Sequence, residues 1–390
     1  MFKLIKNGKI YSPEYLGEGD IFIVNGKIAK IDRDVDITLS NLNIEIIDAG
    51  GKYVVPGFID NHVHMIGGGG EGGFYSRTPE IMLSGVIRTG ITTLVGVLGT
   101  DGTTRHLESL LAKARGLETE GVSTYIYTGS YEIPTITMTG SIRKDIILID
   151  KVIGTGEVAI SDHRSSEPTK EELIRLVTDT RLGGMISGKL GVVNLHMGSG
   201  KKGLDMIFEI LKDTEIPIRH FFPTHVGRKR ELLDQSIEFA KMGGKIDMTA
   251  GVDPNNGFVG SIKTSKAIIE CMDKGVPIEN ITISSDGNGS MAVYNEKGMV
   301  EKLLITTLEG LHMEFKDLVK VEGVDMSLAL KPITSNVAAT LGLYNEKGRI
   351  MIGYDADITI LDSDLEIDTV LARGKVMMKE KVLTVKGTFE

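Results

Sequence analysis

Short apolar runs alternate with amphipathic segments through the middle of the chain. Apolar runs of this length between turn residues are typical of buried strands, whereas apolar positions three and four residues apart are typical of helices that pack on a sheet. The amphipathic segments include residues 170–182, 203–212 and 231–242. The strand candidates are residues 57–62, 92–98, 123–128, 157–161, 192–196, 218–225, 245–249 and 281–286. These strand-then-helix units predict an α/β fold, a (β/α)8 TIM-like barrel.

The two ends of the chain have a different pattern, in which short β-type runs are separated by turns. Near the start, apolar runs flank Asn25-Gly26, a dipeptide that favours tight hairpins. Residues 356–361 and 369–378 repeat this pattern near the end. Because strands from opposite ends of a chain can pair, we expect both ends to form one small β-sandwich domain.

A chain of 390 residues is long enough for one large domain and a smaller one beside it. We expect the small β-domain to comprise residues 1–56 and 346–390. The barrel would then occupy residues 57–345, between the two parts of the small domain.

Composition excludes several classes of protein. The formal net charge of −9 argues against generic binding to nucleic acid or to anionic membranes. No apolar stretch reaches the length of a membrane span, and the first residues lack the apolar segment of a secretory signal, so we expect a cytoplasmic protein. The single cysteine, Cys271, excludes an internal disulfide and a cysteine-rich zinc site, and its helix-like surroundings predict burial.

A His-x-His pair follows the first predicted barrel strand. Alternate side chains of a strand point the same way, so His62 and His64 can direct both imidazoles at one point. Converging neutral imidazoles bind divalent transition metals. Taken alone, such a pair is common and most often has only a structural role.

The other predicted strand ends strengthen the metal-binding interpretation. In barrels of this type, catalytic residues lie at the C-terminal ends of the strands. His196, His225 and Asp286 all stand at predicted strand ends, like His62 and His64. The sequence therefore predicts a centre for divalent ions at the mouth of the barrel, and a hydrolase.

These motifs resemble a known family. The segment Gly57-Phe58-Ile59-Asp60 followed by His-x-His, with two distant histidines and a late aspartate, is similar to the amidohydrolase superfamily of metal-dependent hydrolases. Over nearly the whole chain, the motifs resemble the bacterial isoaspartyl (β-aspartyl) dipeptidases of that superfamily. The motifs that carry this resemblance are residues 66–71, 77–80, 98–101, 161–164, 223–226 and 284–290.

The resemblance implies a centre with two zinc ions. One ion would be bound by His62, His64 and Asp286, and the other by His196 and His225. Members of the family usually bridge the two ions with a carboxylated lysine that precedes the Ser-Asp-His-Arg motif.

This chain departs from the family pattern at the bridging position, where Glu157 stands. We propose that its carboxylate bridges the ions directly. The glutamate side chain is shorter than a carboxylated lysine, and Gly154 and Gly156 would permit the backbone to come closer. The alternative is that Glu157 binds one ion or none, leaving a weaker or mononuclear site.

The resemblance also implies the reaction, which is hydrolysis of β-aspartyl dipeptides by a hydroxide held between the ions. Asp286 would act as general base and then as general acid, and Tyr131 would hydrogen-bond the oxyanion. Arg164 and Arg228 would bind carboxylates of the dipeptide and Glu71 its ammonium group. The remaining residues implied for substrate binding are Gly69, Thr100 and Ser290. The family resemblance further suggests a homo-oligomer.

Other residues are given structural roles. His163 is expected beside the site rather than on a metal, and His106, His220 and His312 are expected in packing or at the surface. The glycines at 67–70 lack the following Gly-Lys-Ser/Thr of a phosphate-binding loop.

Two alternatives to the β-aspartyl dipeptidase remain. One is another amidohydrolase, either an N-acyl-amino-acid deacylase or a cyclic-amide hydrolase. Arg164, Arg228 and Glu71 favour a zwitterionic peptide over a neutral ring. The other alternative is a non-catalytic scaffold with the same fold, for which the departure at Glu157 is the only motive in the sequence.

Overall fold

A computed structural model describes residues 2–36, 43–256, 258–294 and 300–390. The strands are β1 (Phe2–Tyr11), β2 (Tyr15–Val24), β3 (Lys27–Asp32), β4 (Ile44–Asp48), β5 (Tyr53–Pro56), β6 (Phe58–Val63), β7 (Ile91–Gly96), β8 (Ser123–Thr128), β9 (Val152–Ile160), β10 (Val192–Met197), β11 (Phe221–Thr224), β12 (Ile246–Thr249), β13 (Ile281–Ser284), β14 (Ser290–Tyr294), β15 (Val300–Ile305), β16 (Ile358–Leu361), β17 (Ile367–Ala372), β18 (Lys375–Lys379) and β19 (Val382–Leu383). The helices are α1 (Leu83–Ile87), α2 (Leu107–Glu120), α3 (Ile142–Leu148), α4 (Lys170–Ser187), α5 (Asp205–Asp213), α6 (Arg230–Lys241), α7 (Thr264–Asp273), α8 (Glu309–Lys320), α9 (Met326–Leu330) and α10 (Ser335–Leu341). Within these ranges, no helix has both the length and the apolar character needed to cross a bilayer.

Strands β6 to β13 form the predicted TIM-like barrel. β6 to β11 make a six-stranded parallel sheet in chain order, and β12 pairs in parallel with β13. The segment that follows β13 pairs with β6 through a parallel bridge between Val63 and Gly287. The amide of His64 donates to the Gly287 carbonyl there at 2.9 Å. Every residue of these eight strands except Tyr125 is buried, as expected for a parallel sheet covered by helices.

Two predicted strands differ most in their first residue from the observed strands. The fourth, expected at 157–161, begins at Val152, and Val152–Ile160 is buried along its whole length. The sixth, expected at 218–225, begins with a 3-10 helix over Ile218–His220. Pro217 precedes this turn, and its carbonyl accepts the amide of His220 at 3.1 Å before the strand begins.

Asp247, in β12, connects the six-stranded sheet of β6 to β11 with the pair β12 and β13. Its buried carboxylate accepts from Thr224 of β11 at 2.7 Å and from Asn61 of β6 at 2.9 Å. Thr282 and Ser284 of the neighbouring β13 donate to the same carboxylate at 2.6 and 2.5 Å. One side chain therefore holds together three strands whose ends carry predicted metal ligands.

Strands from both ends of the chain join in one nine-stranded sheet, as the pairing of terminal segments predicted. β16 pairs antiparallel with β5, and this contact joins the two ends. The predicted turn at Asn25-Gly26 is confirmed by the pairing of Val24 with Lys27. A sandwich arrangement of this sheet, and the division into residues 1–56, 57–345 and 346–390, stay predictions.

Candidate metal centre

The barrel mouth brings together all six residues predicted to bind metal. His62, Glu157 and His196 lie within β6, β9 and β10. His64 and His225 follow directly after β6 and β11, and Asp286 is the second residue after β13. All the side chains are buried except that of Asp286, which is 22% exposed. Their common location follows from the parallel sheet, because the carboxyl ends of its strands share one edge.

Glu157 lies at the centre of this cluster. Its Oε2 atom is 3.2 Å from His62 Nε2, 3.0 Å from His196 Nδ1 and 3.6 Å from His225 Nε2, and its Oε1 atom is 3.8 Å from His64 Nε2. The same Nε2 atom of His64 is also 3.1 Å from Asp286 Oδ1. The glutamate thus contacts ligands assigned to both predicted ions.

The donor atoms of the cluster suit divalent cations. His62 Nε2 and His225 Nε2 are buried and have no hydrogen-bond partner among the described residues, although both face carboxylates. Atoms that share a zinc ion at bonds of about 2.0–2.2 Å lie roughly 3–4 Å apart, which is the spacing found here. Two groups have the compactness of an ion site: His62, His64 and Asp286, and His62, Glu157 and His225. The second group contains His62, whereas His196 was expected there. His196 lies outside that group but contacts Glu157 Oε2 through its Nδ1 atom at 3.0 Å.

The charges of the cluster also favour a bound cation. Burial opposes charge on His62, but the carboxylate of Glu157 outweighs it and raises the pKa of His62 to about 9. Burial also disfavours ionised Glu157, but the charge of His62 and the hydrogen-bonding contact with His196 hold its pKa well below the usual range. By contrast, burial lowers the pKa of His225 to about 3. The carboxylates therefore require positive charge that the histidines supply only in part, and a bound cation would supply the rest.

A bulge in β9 directs Glu157 into the centre. Thr155 pairs with Val193 and Val158 pairs with Leu195, so two residues of β9 oppose one residue of β10. A Cβ atom on Gly154 would lie 2.2 Å from the carbonyl oxygen of Val192. Close packing of β9 on β10 thus depends on glycine, as the short glutamate side chain led us to expect.

Replacing Gly156 by alanine is expected to displace this bulge. The added Cβ would lie 2.8 Å from Asn194 Cβ and 2.9 Å from Asn194 O, both in the buried core of the barrel. Overpacking of this kind costs about 1–3 kcal/mol, so thermal unfolding should show a lower Tm and metal analysis a lower occupancy. Gly116→Ala is the matched control, because Gly116 lies in α2 with open space at its Cβ position and should tolerate alanine. Equal Tm and metal content in both variants would show that close packing at Gly156 is unimportant.

The residues predicted to bind substrate form a connected group beside the metal centre. Arg164 Nη1 donates to Glu71 Oε1 at 3.2 Å, and Thr100 Oγ1 donates to the same oxygen at 2.9 Å. Ser290 Oγ donates to Glu71 Oε2 at 3.3 Å, and a Cβ on Gly69 would lie 2.6 Å from Ser290 Cβ. The structure thus brings these side chains together at the mouth of the barrel.

Tyr131 and Arg228 connect this group to the metal centre. The Tyr131 hydroxyl is 2.8 Å from His196 Nδ1, and Arg228 Nη1 is 3.2 Å from His196 Nε2. Burial raises the pKa of Tyr131 well above its ordinary value, so its hydroxyl keeps its proton. A protonated phenol at this position can donate a hydrogen bond.

Several residues that were not predicted from the sequence hydrogen-bond the proposed metal ligands or their neighbours. Thr249 Oγ1 lies 2.6 Å from His225 Nδ1 and leaves Nε2 directed at the centre. Asp60 accepts from the His62 amide at 3.3 Å and from the Ser285 amide at 3.1 Å, and so connects two ligand-bearing segments. Buried polar residues next to ligands were the available signal, since metal ligands usually have hydrogen-bond partners behind them.

The histidines given structural roles lie outside the ligand cluster. The His220 ring contacts the Gly191 carbonyl at 2.9 Å, and the His312 ring contacts the Leu365 carbonyl at 2.7 Å. His106 is exposed next to α2, and the His163 side chain is 83% exposed beside the site. Cys271 is buried in α7 as predicted.

The chain is similar to a known protein family and to solved structures. Residues 53–377 match the Amidohydrolase family. The crystal structure of a β-aspartyl dipeptidase from Fervidobacterium islandicum AW-1, in complex with the dipeptide β-Asp-Leu, is 47% identical in sequence, covers 98% of this chain and 99% of its own, and superposes with a TM-score of 0.91. A second structure of β-aspartyl dipeptidase from that organism is 46% identical, with 98% and 99% coverage and a TM-score of 0.90. A dihydroorotase from Aquifex aeolicus is 28% identical over 99% of this chain and 98% of its own length.

Proposed function

The chain is a hydrolase of the amidohydrolase family, and we propose that it cleaves β-aspartyl (isoaspartyl) dipeptides with a pair of zinc ions. The observation that carries this proposal is the Arg164–Glu71 ion pair beside the metal cluster. A β-aspartyl dipeptide has an ammonium and a carboxylate on one carbon, and this pair offers the complementary charges side by side. The β-aspartyl dipeptidase relatives support the same substrate.

The zinc proposal rests on the donor set. Four imidazoles and two carboxylates at a barrel mouth suit zinc better than hard cations, which prefer oxygen ligands throughout. The carboxylate of Glu157 is the proposed direct bridge, because its two oxygens face different histidines. Zinc pairs bound in this way would supply a nucleophilic hydroxide at neutral pH and polarise the scissile carbonyl.

The residues of the chain then have defined tasks. Asp286 is the proposed acceptor of the proton from the attacking water and its donor to the leaving amine. The Tyr131 hydroxyl is proposed to donate a hydrogen bond to the carbonyl oxygen as negative charge develops there. Arg164 and Arg228 fix the substrate carboxylates, and backbone near Gly69 and Thr100 completes the proposed pocket.

A panel of substrates tests the proposed function. In the presence of zinc, we expect β-Asp-Leu to be hydrolysed with a kcat/KM at least about 100-fold above those of α-Asp-Leu, N-acetyl-leucine, hydantoin and dihydroorotate. The reason is that only the β-linked dipeptide carries both charges on one carbon, separated from the scissile carbonyl by a single methylene group. Preferential turnover of another substrate in this panel would contradict the proposal.

A Glu71→Gln variant provides the control for charge recognition. Loss of a charged partner costs about 1.5–3 kcal/mol, so KM for β-Asp-Leu should rise roughly 10- to 100-fold. N-acetyl-β-Asp-Leu, which has no ammonium group, should be cleaved equally by the variant and the wild type. An equal loss on both substrates would show that Glu71 does not recognise the ammonium.

A cyclic-amide hydrolase is the second candidate, and the dihydroorotase relative is the observation that favours it. Dihydroorotate is a ring with a carboxylate and no ammonium, so it would leave Glu71 without a partner. Turnover of dihydroorotate above that of β-Asp-Leu would establish this alternative.

A further inference from the structure

Asp162 lies between the metal centre and the residues proposed to bind substrate. It follows β9, and its side chain is only 2% exposed. Its Oδ2 atom is 3.1 Å from His196 Nε2 and 2.9 Å from Arg164 Nη2. Its Oδ1 atom accepts from Arg164 Nε at 3.0 Å, and Arg228 Nη1 is 3.6 Å from Oδ2. One buried carboxylate therefore contacts a predicted metal ligand and both predicted substrate arginines.

The contact with His196 bears on which ring nitrogen carries the hydrogen. The Asp162 carboxylate accepts two N–H groups of Arg164, at 3.0 and 2.9 Å, in the manner of a charge-paired carboxylate. A carboxylate only accepts hydrogen bonds, so the 3.1 Å contact between Asp162 Oδ2 and His196 Nε2 favours the tautomer that carries its hydrogen on Nε2. Nδ1 then has a lone pair and no hydrogen. This atom faces Glu157 Oε2 at 3.0 Å and lies 2.8 Å from the Tyr131 hydroxyl.

The other tautomer of His196 has competing partners. With the hydrogen on Nδ1, the ring would donate to Glu157 at 3.0 Å, and Nε2 would accept from Arg164 at 3.0 Å or Arg228 at 3.2 Å. This arrangement offers no lone pair to a metal ion. Asp162 is the one carboxylate among the described hydrogen-bond contacts of Nε2, and so the strongest acceptor that favours the metal-binding tautomer.

We propose that Asp162 is a positioning residue that fixes the metal-binding tautomer of His196 and, through the same carboxylate, holds Arg164 against the metal centre. This inference rests on the proposed function, because it assumes a metal at Nδ1 and a substrate at the guanidinium. Carboxylate–histidine–metal arrangements orient ligands in the same way in other metal sites.

The backbone around Asp162 fixes its position. A Cβ atom on Gly198 would lie 2.3 Å from Asp162 Cβ, so only glycine lets the loop after β10 come this close. Next to it, the amide of Gly200 donates to the Ser161 carbonyl at 2.7 Å. These contacts join the loops after β9 and β10, which places the carboxylate against His196.

The test compares Asp162→Asn with Asp101→Asn. The carboxamide that replaces the Asp162 carboxylate can donate to His196 Nε2, which favours hydrogen on Nδ1, so we expect zinc affinity to fall about 10- to 100-fold. Metal content after dialysis against zinc buffers measures this without any substrate. Asp101 is the matched control, because it also accepts from an arginine, Arg77 at 2.6 Å, but contacts none of the six predicted metal ligands. Its variant should bind zinc like the wild type.

Unchanged zinc affinity in Asp162→Asn would overturn the proposal. Should that variant fail to fold, ring nitrogen NMR shifts of the zinc-loaded wild type decide the question. Nε2–H with metal on Nδ1 of His196 would support the proposal, and Nδ1–H would overturn it. Zinc content and the ring nitrogen shifts of His196 do not depend on substrate turnover. A protein that binds zinc but does not cleave β-Asp-Leu would therefore contradict the proposed function and leave the proposal for Asp162 standing.

Discussion

Replacing Asp286 by asparagine is expected to lower kcat for β-Asp-Leu by at least about 10³-fold, within the range for loss of a general acid–base group. Asparagine keeps the size of the side chain but can neither take up the proton of the attacking water nor pass it to the leaving amine. The side chain is the most exposed of the proposed ligands, so the substitution should leave folding intact. Steady-state kinetics with a fixed zinc concentration measure the effect.

Asp179→Asn is the control for this substitution. Asp179 lies in α4 and pairs with Arg143 at 2.6 Å on the surface, away from the barrel mouth. Surface pairs of this kind contribute little, so activity and stability should stay near those of the wild type. If Asp286→Asn kept wild-type kcat with both metals bound, another group would have to carry the proton.

Glu157→Gln is expected to have the second large effect. The variant should lose the paired metal site, and its activity should fall by about 10³-fold or more. The carboxamide offers one oxygen where the carboxylate offers two, and it removes the charge that faces His62, His196 and His225. Metal analysis after gel filtration should find fewer ions per chain than in the wild type.

Bicarbonate supplies an independent test of the direct bridge. Wild-type protein stripped with a chelator should recover full activity with zinc alone, since no lysine has to be carboxylated. Glu157→Lys is the informative companion, because any activity it regains should require bicarbonate. Bicarbonate-dependent recovery of the wild type would contradict a bridge by Glu157.

The residues of the candidate metal centre could be proposed from the sequence because the signal for each is local. His62, His64, His196 and Asp286 each stand at the end of an apolar run, and the barrel then brings the strand ends together. The start of the sixth strand was predicted wrongly because the turn at Pro217 interrupts an otherwise strand-like sequence. Local patterns are weakest at such boundaries.

The supporting contacts could not be predicted because they depend on pairs that are distant in sequence. The bulge that directs Glu157 exists only where β9 meets β10. Asp247 looks like an ordinary polar residue until Asn61 and Thr224 are placed beside it. Asp162 belonged to a recognised motif, yet its contact with His196 required the folded loops.

The sheet that joins both ends of the chain has a consequence for biosynthesis. β5 emerges from the ribosome early, whereas its neighbour β16 is made only after every barrel strand. Until then, β5 has an open edge of backbone hydrogen-bonding groups, the kind of surface at which nascent chains associate wrongly. A stalled or prematurely terminated polypeptide should therefore be aggregation-prone even when its barrel residues are complete, and chaperone demand during translation should fall once residues 358–361 have left the exit tunnel.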